Sequence, residues 1–298
     1  MRYSFFSIAR QALNSHKGWT EAWKKPQLQP RYDVVIIGGG GHGLATAYYL
    51  AKRNSGLRVA VLERGWIGGG NTGRNTTVVR SNYFLKENAD FYEHSLKLWE
   101  NLTQELNFNL MFSQRGVVQL CHSFHDMEGS TNRYNALRLN GIDSDVLTRE
   151  QLKVMVPDLN YAPGARFPIT GAVIQRRAGV ARHDAVAWGF ARAASGLGVD
   201  IIENCEVTDI DVDMNVVTGV RTSKGNVRCD KIGICVAGHT SEVARLAGLK
   251  LPIETHLLQA MVTEPVKPFL HTAVASSALH CYISQTDKGE LLIGGGID

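Results

Sequence analysis

Gly38, Gly40 and Gly43 stand in the spacing G-x-G-x-x-G, and Glu63 follows 20 residues after the last of them. Alone, such a triplet also describes a ligand-free turn. With an acid at that distance it describes a dinucleotide site: the glycines let the backbone approach a pyrophosphate, a helix N-terminus carries its charge, and the carboxylate accepts hydrogen bonds from a ribose. An acid at this place disfavours a 2′-phosphate. His42, inside the glycine turn, is read as a contact to the same ligand.

For this chemistry the glycines must leave a buried strand and open a helix. Asp33 to Ile37 is a continuous apolar run suited to a strand buried on both faces, Leu44 to Arg53 is free of Gly and Pro and predicts a helix, and Leu57 to Leu62 predicts the second strand of a βαβ unit. Nicotinamide and flavin dinucleotides share this fingerprint. Two features favour FAD: a polar, glycine-rich stretch from Gly65 to Thr77, read as an irregular binding loop for an extended cofactor, and a late buried strand ending at Val236-Ala237-Gly238, which would return to the same site.

His183 precedes a helix expected over Ala185 to Ala194, with Asp184 as its N-cap. A ring nitrogen at a positive helix end is available as nucleophile or ligand, and the same placement suits a capping or surface histidine. The other eight histidines lack metal-ligand spacing, and no metal is expected.

The remaining elements frame these residues. Tyr92, Leu96, Trp99, Leu102 and Leu106 predict an amphipathic helix over 87–106 that packs on a core. Residues 107–175 read as short strands and turns, with sheet edge and turn at Phe167 to Ile174. Val207 to Asp230 reads as an antiparallel meander, and Tyr282 to Ile293 as a hairpin about Asp287-Lys288-Gly289. The fold class is α/β (α+β), with a parallel sheet about the glycine turn. The final strand would leave an edge unpaired, so the last sheet is expected to be incomplete.

Composition limits the alternatives. The 298 residues are 44% apolar and 20% charged, an ordinary globular balance, and no run of 18 apolar residues exists to span a membrane. Five cysteines without CxxC spacing argue against a disulfide framework or a zinc site and for a reducing compartment. The net charge of +4 conceals a basic arm, because residues 1–31 hold six bases against Glu21 alone. With Phe5, Phe6, Ile8, Leu13, Trp19 and Trp23, this arm reads as a transit peptide, an interfacial helix or a segment packing on a partner, the last being favoured.

Residues 32–48 (YDVVIIGGGGHGLATAY), 65–71 (GWIGGGN), 74–83 (RNTTVVRSNY), 112–116 (FSQRG), 183–188 (HDAVAW) and 204–207 (NCEV) together resemble the β subunits of heterotetrameric sarcosine oxidases, within the FAD-dependent (DAO-like) amine oxidase family. The resemblance runs over essentially the whole chain, and it implies a Rossmann-like FAD-binding domain with a parallel sheet over 32–85 and 176–252, interleaved with a mixed-sheet substrate domain over 86–175 and 253–298 that is incomplete at its C-terminal part. It implies oxidation of sarcosine by hydride transfer to non-covalent FAD, and a covalent FMN on His183 that passes electrons to O2 and yields peroxide. Tetrahydrofolate is the implied acceptor of the one-carbon unit. It further implies α, γ and δ partner subunits, a cytoplasmic location, and neither nucleic-acid nor membrane partners.

By the same resemblance Gly41, His42, Glu63, Asn71, Arg74, Asn75, Thr76, Val78 and Val207 contact FAD, Arg80 binds the substrate carboxylate, and Tyr282 lines the substrate cavity. A histidine found in monomeric relatives near Gly296 is missing. A further segment of roughly 100 residues, with a carboxylate-binding lysine, would lie beyond Asp298, so the chain is expected to be a fragment. The competing readings are a non-catalytic flavin-binding or assembly subunit, another FAD-dependent secondary-amine dehydrogenase, and an NAD-dependent dehydrogenase, which leaves the His183 motif unexplained.

Overall fold

The computed structural model describes residues 4–15, 17, 21–83 and 85–295. Two compact units divide the chain: residues 1–75, 104–110 and 183–256 form one, and residues 76–103, 111–182 and 257–298 the other.

The first unit is built on a six-stranded sheet. Its order is Asp200–Ile202, Val59–Leu62, Arg31–Ile37, Gly225–Ile234, Val216–Thr222, Val207–Asp213; the first four run parallel, and the last two pairings are antiparallel. Residues 34–37 and 59–62 are all buried, which is why both strands read as unbroken apolar runs rather than alternating ones. Helices Gly41–Arg53 and His183–Gly196 pack together through Tyr48 and Phe190, whose ring centroids lie 5.8 Å apart.

The second unit holds a seven-stranded mixed sheet in the order Gln259–Val262, Leu291–Gly295, Cys281–Gln285, Ala273–Ser276, Val117–Cys121, Gly171–Gln175, Asp145–Thr148. One apolar cluster gathers Val118, Leu120, Leu152, Ala172, Ile174 and Val274, and another gathers Ala89, Tyr134, Leu137, Ile142 and Val173. Val173 and Ile174, adjacent in one strand, join different clusters because successive side chains point to opposite faces.

Four local readings need correction. Phe124–Leu139 is a helix rather than strands and turns. It buries only Tyr134 and Leu137 and contains Gly129, so it has almost no apolar stripe; its start is set by Ser123, whose Oγ accepts from Asp126 N at 3.0 Å. Gly171–Gln175 is an inner strand, flanked on both sides. Leu291–Gly295 is also flanked, and the sheet edge falls on Gln259–Val262, exposed at all four residues. Finally, the long strand Gly225–Ile234 serves both the meander and the parallel sheet, so the two segments read as separate are one.

The basic arm begins with a helix, Phe5–Leu13, that buries no residue. Past it, Lys24 N donates to Ser195 Oγ, on the helix His183–Gly196, at 3.1 Å and Leu28 packs on the sheet core, so this stretch docks on the first unit itself. Trp19 lies outside the described residues.

Candidate active site

In the first unit the central strand ends at Gly38, whose φ of +108° suits glycine. A Cβ there would lie 2.4 Å from Cys235 O, and one on Gly43 would lie 2.0 Å from Gly38 O. These contacts bring the helix Gly41–Arg53 hard against the strand end, with Gly40 as an N-cap that has no side chain to occupy the space ahead of it. The late strand returns here, since Cys235 N donates to Ile37 O at 2.8 Å.

Glu63 closes the turn. Its Oε2 accepts from Gly39 N at 2.7 Å and its Oε1 from Gly65 N at 2.8 Å. Each carboxylate oxygen has two lone pairs, so capacity remains for ribose hydroxyls. The stretch read as irregular is ordered: Gly68 N donates to Gly39 O, Gly73 N to Gly68 O, and Thr72–Arg74 forms a 3₁₀ turn. Its order comes from the glycines themselves, which let main chain meet main chain.

Thr72, inside the stretch read as a binding loop but not singled out there, places its Oγ1 3.0 Å from Gly41 N, as acceptor. Asn71, Arg74 and Asn75 flank it, and all three are exposed. His42 is exposed on the first helical turn. Val207 lies two residues past Cys205, whose N donates to Glu63 O at 2.8 Å, and packs on the cluster holding Val35, Ile37 and Leu62. These residues fit an FAD: a cradle that a Cβ would fill, an uncapped helix start and a carboxylate with free lone pairs.

His183 is the first residue of its helix, which starts two residues earlier than expected, so Asp184 is inside the helix rather than its N-cap. Asp184 Oδ1 accepts from Ala185 N at 2.7 Å, and a carboxylate in a first turn still complements the helix dipole. His183 is half-buried, and its Nδ1 is buried without a hydrogen-bond partner among the described residues. An orphaned polar atom at a helix start fits a covalently attached group there.

The second unit brings Thr76, Val78, Arg80 and Tyr282 to the wall of one cavity of about 650 Å³. Tyr282 OH and Thr76 Oγ1 are 2.7 Å apart. The ring lies across the neighbouring strand, where a Cβ on Gly294 would meet the Tyr282 hydroxyl at 2.2 Å, so the glycine makes room for it. Val78 pairs with Val180 and packs on Val117, Ala178 and Ala273. Arg80 is half-buried; its Nη1 donates to Asn82 Oδ1 at 2.9 Å, and its guanidinium carbon lies 4.2 Å from the Tyr83 ring centroid.

Beneath this wall runs a buried polar network absent from the sequence reading. Ser81 Oγ donates to Glu93 Oε2 at 2.7 Å, Ser81 N donates to Gln175 Oε1 at 2.9 Å, and Arg177 Nη1 bonds Glu93 Oε1 at 2.6 Å. Glu93 occupies the buried face of the helix Lys86–Glu105, between Ala89 and Leu96. Its period is helical but its chemistry is not apolar, so a search for hydrophobic stripes passes over it. The Gly296 position lies outside the described residues, as does any test of the missing histidine. No metal-binding cluster of His, Cys, Asp and Glu occurs, and no helix is long and apolar enough to cross a membrane, among the described residues.

A strand–glycine turn–helix with an acid at its mouth in one unit, and a mixed sheet with an arginine at a cavity wall in the other, are each features of flavin oxidoreductases. The FAD dependent oxidoreductase (DAO) family matches residues 33–298, and the chain belongs to that family. Among curated proteins it is similar to sarcosine oxidase subunit beta of Rhizobium meliloti, with 54% identity over 100% of this chain and 71% of the relative. It is also similar to sarcosine oxidase subunit beta of an Arthrobacter species, with 52% identity over 93% of this chain and 68% of that one. Among solved structures, L-proline dehydrogenase from P. horikoshii superposes with a TM-score of 0.82 at 26% identity, covering 91% of this chain and 71% of that one.

Proposed function

We propose that the chain is the β subunit of a sarcosine oxidase, oxidising the CH–NH bond of sarcosine with FAD held by the first unit and substrate bound in the second. The observation that carries this reading is Arg80, a half-buried guanidinium at the wall of a cavity shared with Tyr282, in a chain 54% identical to a sarcosine oxidase β subunit. A guanidinium offers five donors in a planar fork, matched to a carboxylate, and can fix the amino acid while its N-methyl group faces the oxidant.

The chain's own residues would act as follows. Gly38, Gly40, Gly41 and Gly43 admit the pyrophosphate to the helix start, and Glu63 accepts from the ribose. Asn71, Arg74, Asn75, Thr76, Val78 and Val207, with His42, supply further cofactor contacts. Tyr282, paired with Thr76, offers a hydroxyl to the cavity. When bound, FAD supplies a hydride acceptor, and FMN attached at His183 an exit for electrons to O2. The similarity to subunits named beta supports further partner subunits; their assignment as α, γ and δ, tetrahydrofolate as one-carbon acceptor and a cytoplasmic location complete the reading. The domain assignment, FAD over 32–85 and 176–252 and substrate over 86–175 and 253–298, belongs to the same proposal; it differs from the two compact units chiefly in giving residues 76–85, Arg80 among them, and 176–182 to the FAD side.

The test is anaerobic mixing of the protein, co-produced with its partner subunits, with sarcosine. The expected result is bleaching of the flavin absorbance and release of glycine on hydrolysis. An intact flavin spectrum in saturating sarcosine, from a preparation whose flavin dithionite does bleach, overturns the substrate assignment.

A further inference from the structure

Arg80 lies in a stretch, residues 80–83, that is neither helix nor strand, so main-chain pairing does not set the direction of its side chain. Side chains do so instead. Ser81 is clamped by Gln175 and Glu93, and Tyr83 stacks on Tyr92 with centroids 3.9 Å apart. The guanidinium itself meets Asn82, whose Oδ1 accepts from Nη1 at 2.9 Å while its Nδ2 donates to Tyr134 OH at 2.9 Å. Asn82 and Tyr134 are only 5% and 4% exposed.

The chemistry of this chain of contacts has one direction. Arginine only donates, so Asn82 must turn its oxygen toward Arg80 and its nitrogen away. The buried NH2 then needs an acceptor, and the Tyr134 hydroxyl, which can accept, is the group it meets. We infer, resting on the reading of Arg80 as the carboxylate-binding residue, that Asn82 and Tyr134 are positioning residues that aim its guanidinium into the cavity without cancelling its charge. A carboxylate at position 82 would hold Arg80 in place equally well, but the substrate would then meet a cation already paired. A neutral acceptor separates orientation from neutralisation.

The experiment uses the FAD-loaded complex, with acetate as a carboxylate probe in calorimetry and sarcosine in steady-state kinetics. Asn82→Asp is expected to weaken acetate binding tenfold or more and to raise KM far more than it lowers kcat, because the lost interaction is made to bound substrate and transition state alike. Tyr134→Phe leaves charge unchanged but strands the amide, and is expected to weaken acetate roughly threefold. A merely structural defect would instead lower FAD content and kcat together. Wild-type acetate affinity in both variants, with Arg80→Ala unable to bind acetate, overturns the inference and leaves the reading of Arg80 standing. Normal acetate binding by Arg80→Ala overturns that reading, and the inference with it. Should Asn82→Asp fail to retain FAD, Tyr134→Phe decides by the same criterion.

Discussion

Arg80 and His183 carry the most specific chemistry proposed for this chain, and each has a measurable consequence. Loss of a charge-assisted pair costs about 1.5–3 kcal/mol, so Arg80→Ala is expected to raise KM for sarcosine by roughly tenfold or more. Arg80→Lys keeps the charge but loses the planar fork and should recover only part of this; unchanged kinetics in both variants would remove Arg80 from the site. For His183 the measurement is mass. The peptide spanning Gly179 to Trp188 should carry one FMN in the partnered complex and none in His183→Ala, while FAD stays bound, because the glycine turn and Glu63 are untouched. An unmodified peptide from a fully active complex defeats the attachment.

At the scale of elements, two contacts can be tested without knowing the substrate. Gly43→Ala would place a methyl group 2.0 Å from Gly38 O, a main-chain atom that cannot step aside. The helix must then lift from the strand end, at a cost of about 1–3 kcal/mol, and the protein should lose FAD on gel filtration; full retention would show that the close approach is not needed. The second contact ties the helix Lys86–Glu105 to the residues after Gly171–Gln175 through Arg177, which bonds both Glu93 and Glu100. The Arg177 hydrogen bonds hold the Glu100 carboxyl below its ordinary value of 4.5 and raise the Arg177 guanidinium further. Because the folded value is depressed, Glu100 contributes stability above about pH 4.5 that fades as pH falls through the folded value. The pair is exposed and screened by solvent, so Glu100→Gln should lower stability at pH 7 by no more than about 1 kcal/mol and flatten the decline below pH 5. Parallel urea midpoints for the two proteins across pH 3 to 7 would contradict this.

At the scale of the whole molecule, a cofactor that binds the native state raises its melting temperature by mass action, about 2.7 kcal/mol at a hundredfold excess over Kd. Flavin-stripped protein should melt at a higher temperature with added FAD and be unmoved by NAD, and stabilisation by NAD alone would reverse the cofactor assignment. Much of this was legible from residue order. The unbroken apolar runs at Val34–Ile37 and Val59–Leu62, the glycine spacing and Glu63 are local features whose geometry follows from a strand, a turn and a helix close together in the chain. The helix over Phe124–Leu139 was not legible, since its side chains are mostly solvated and only its Ser123 cap marked it.

Sequence alone determined the glycine turn and marked His183 at a helix start, because backbone conformation at glycine and the chemistry of an imidazole belong to the residue itself, whereas Arg80 stood out only through the family resemblance. Tertiary structure decided what surrounds them. Asn82, Tyr134, Ser81, Glu93 and Gln175 are polar residues that look like surface in the sequence, and their partners stand 12, 52 and 94 positions away. Burial turns each of them into an obligation to pair, and only folding establishes which pairs are met.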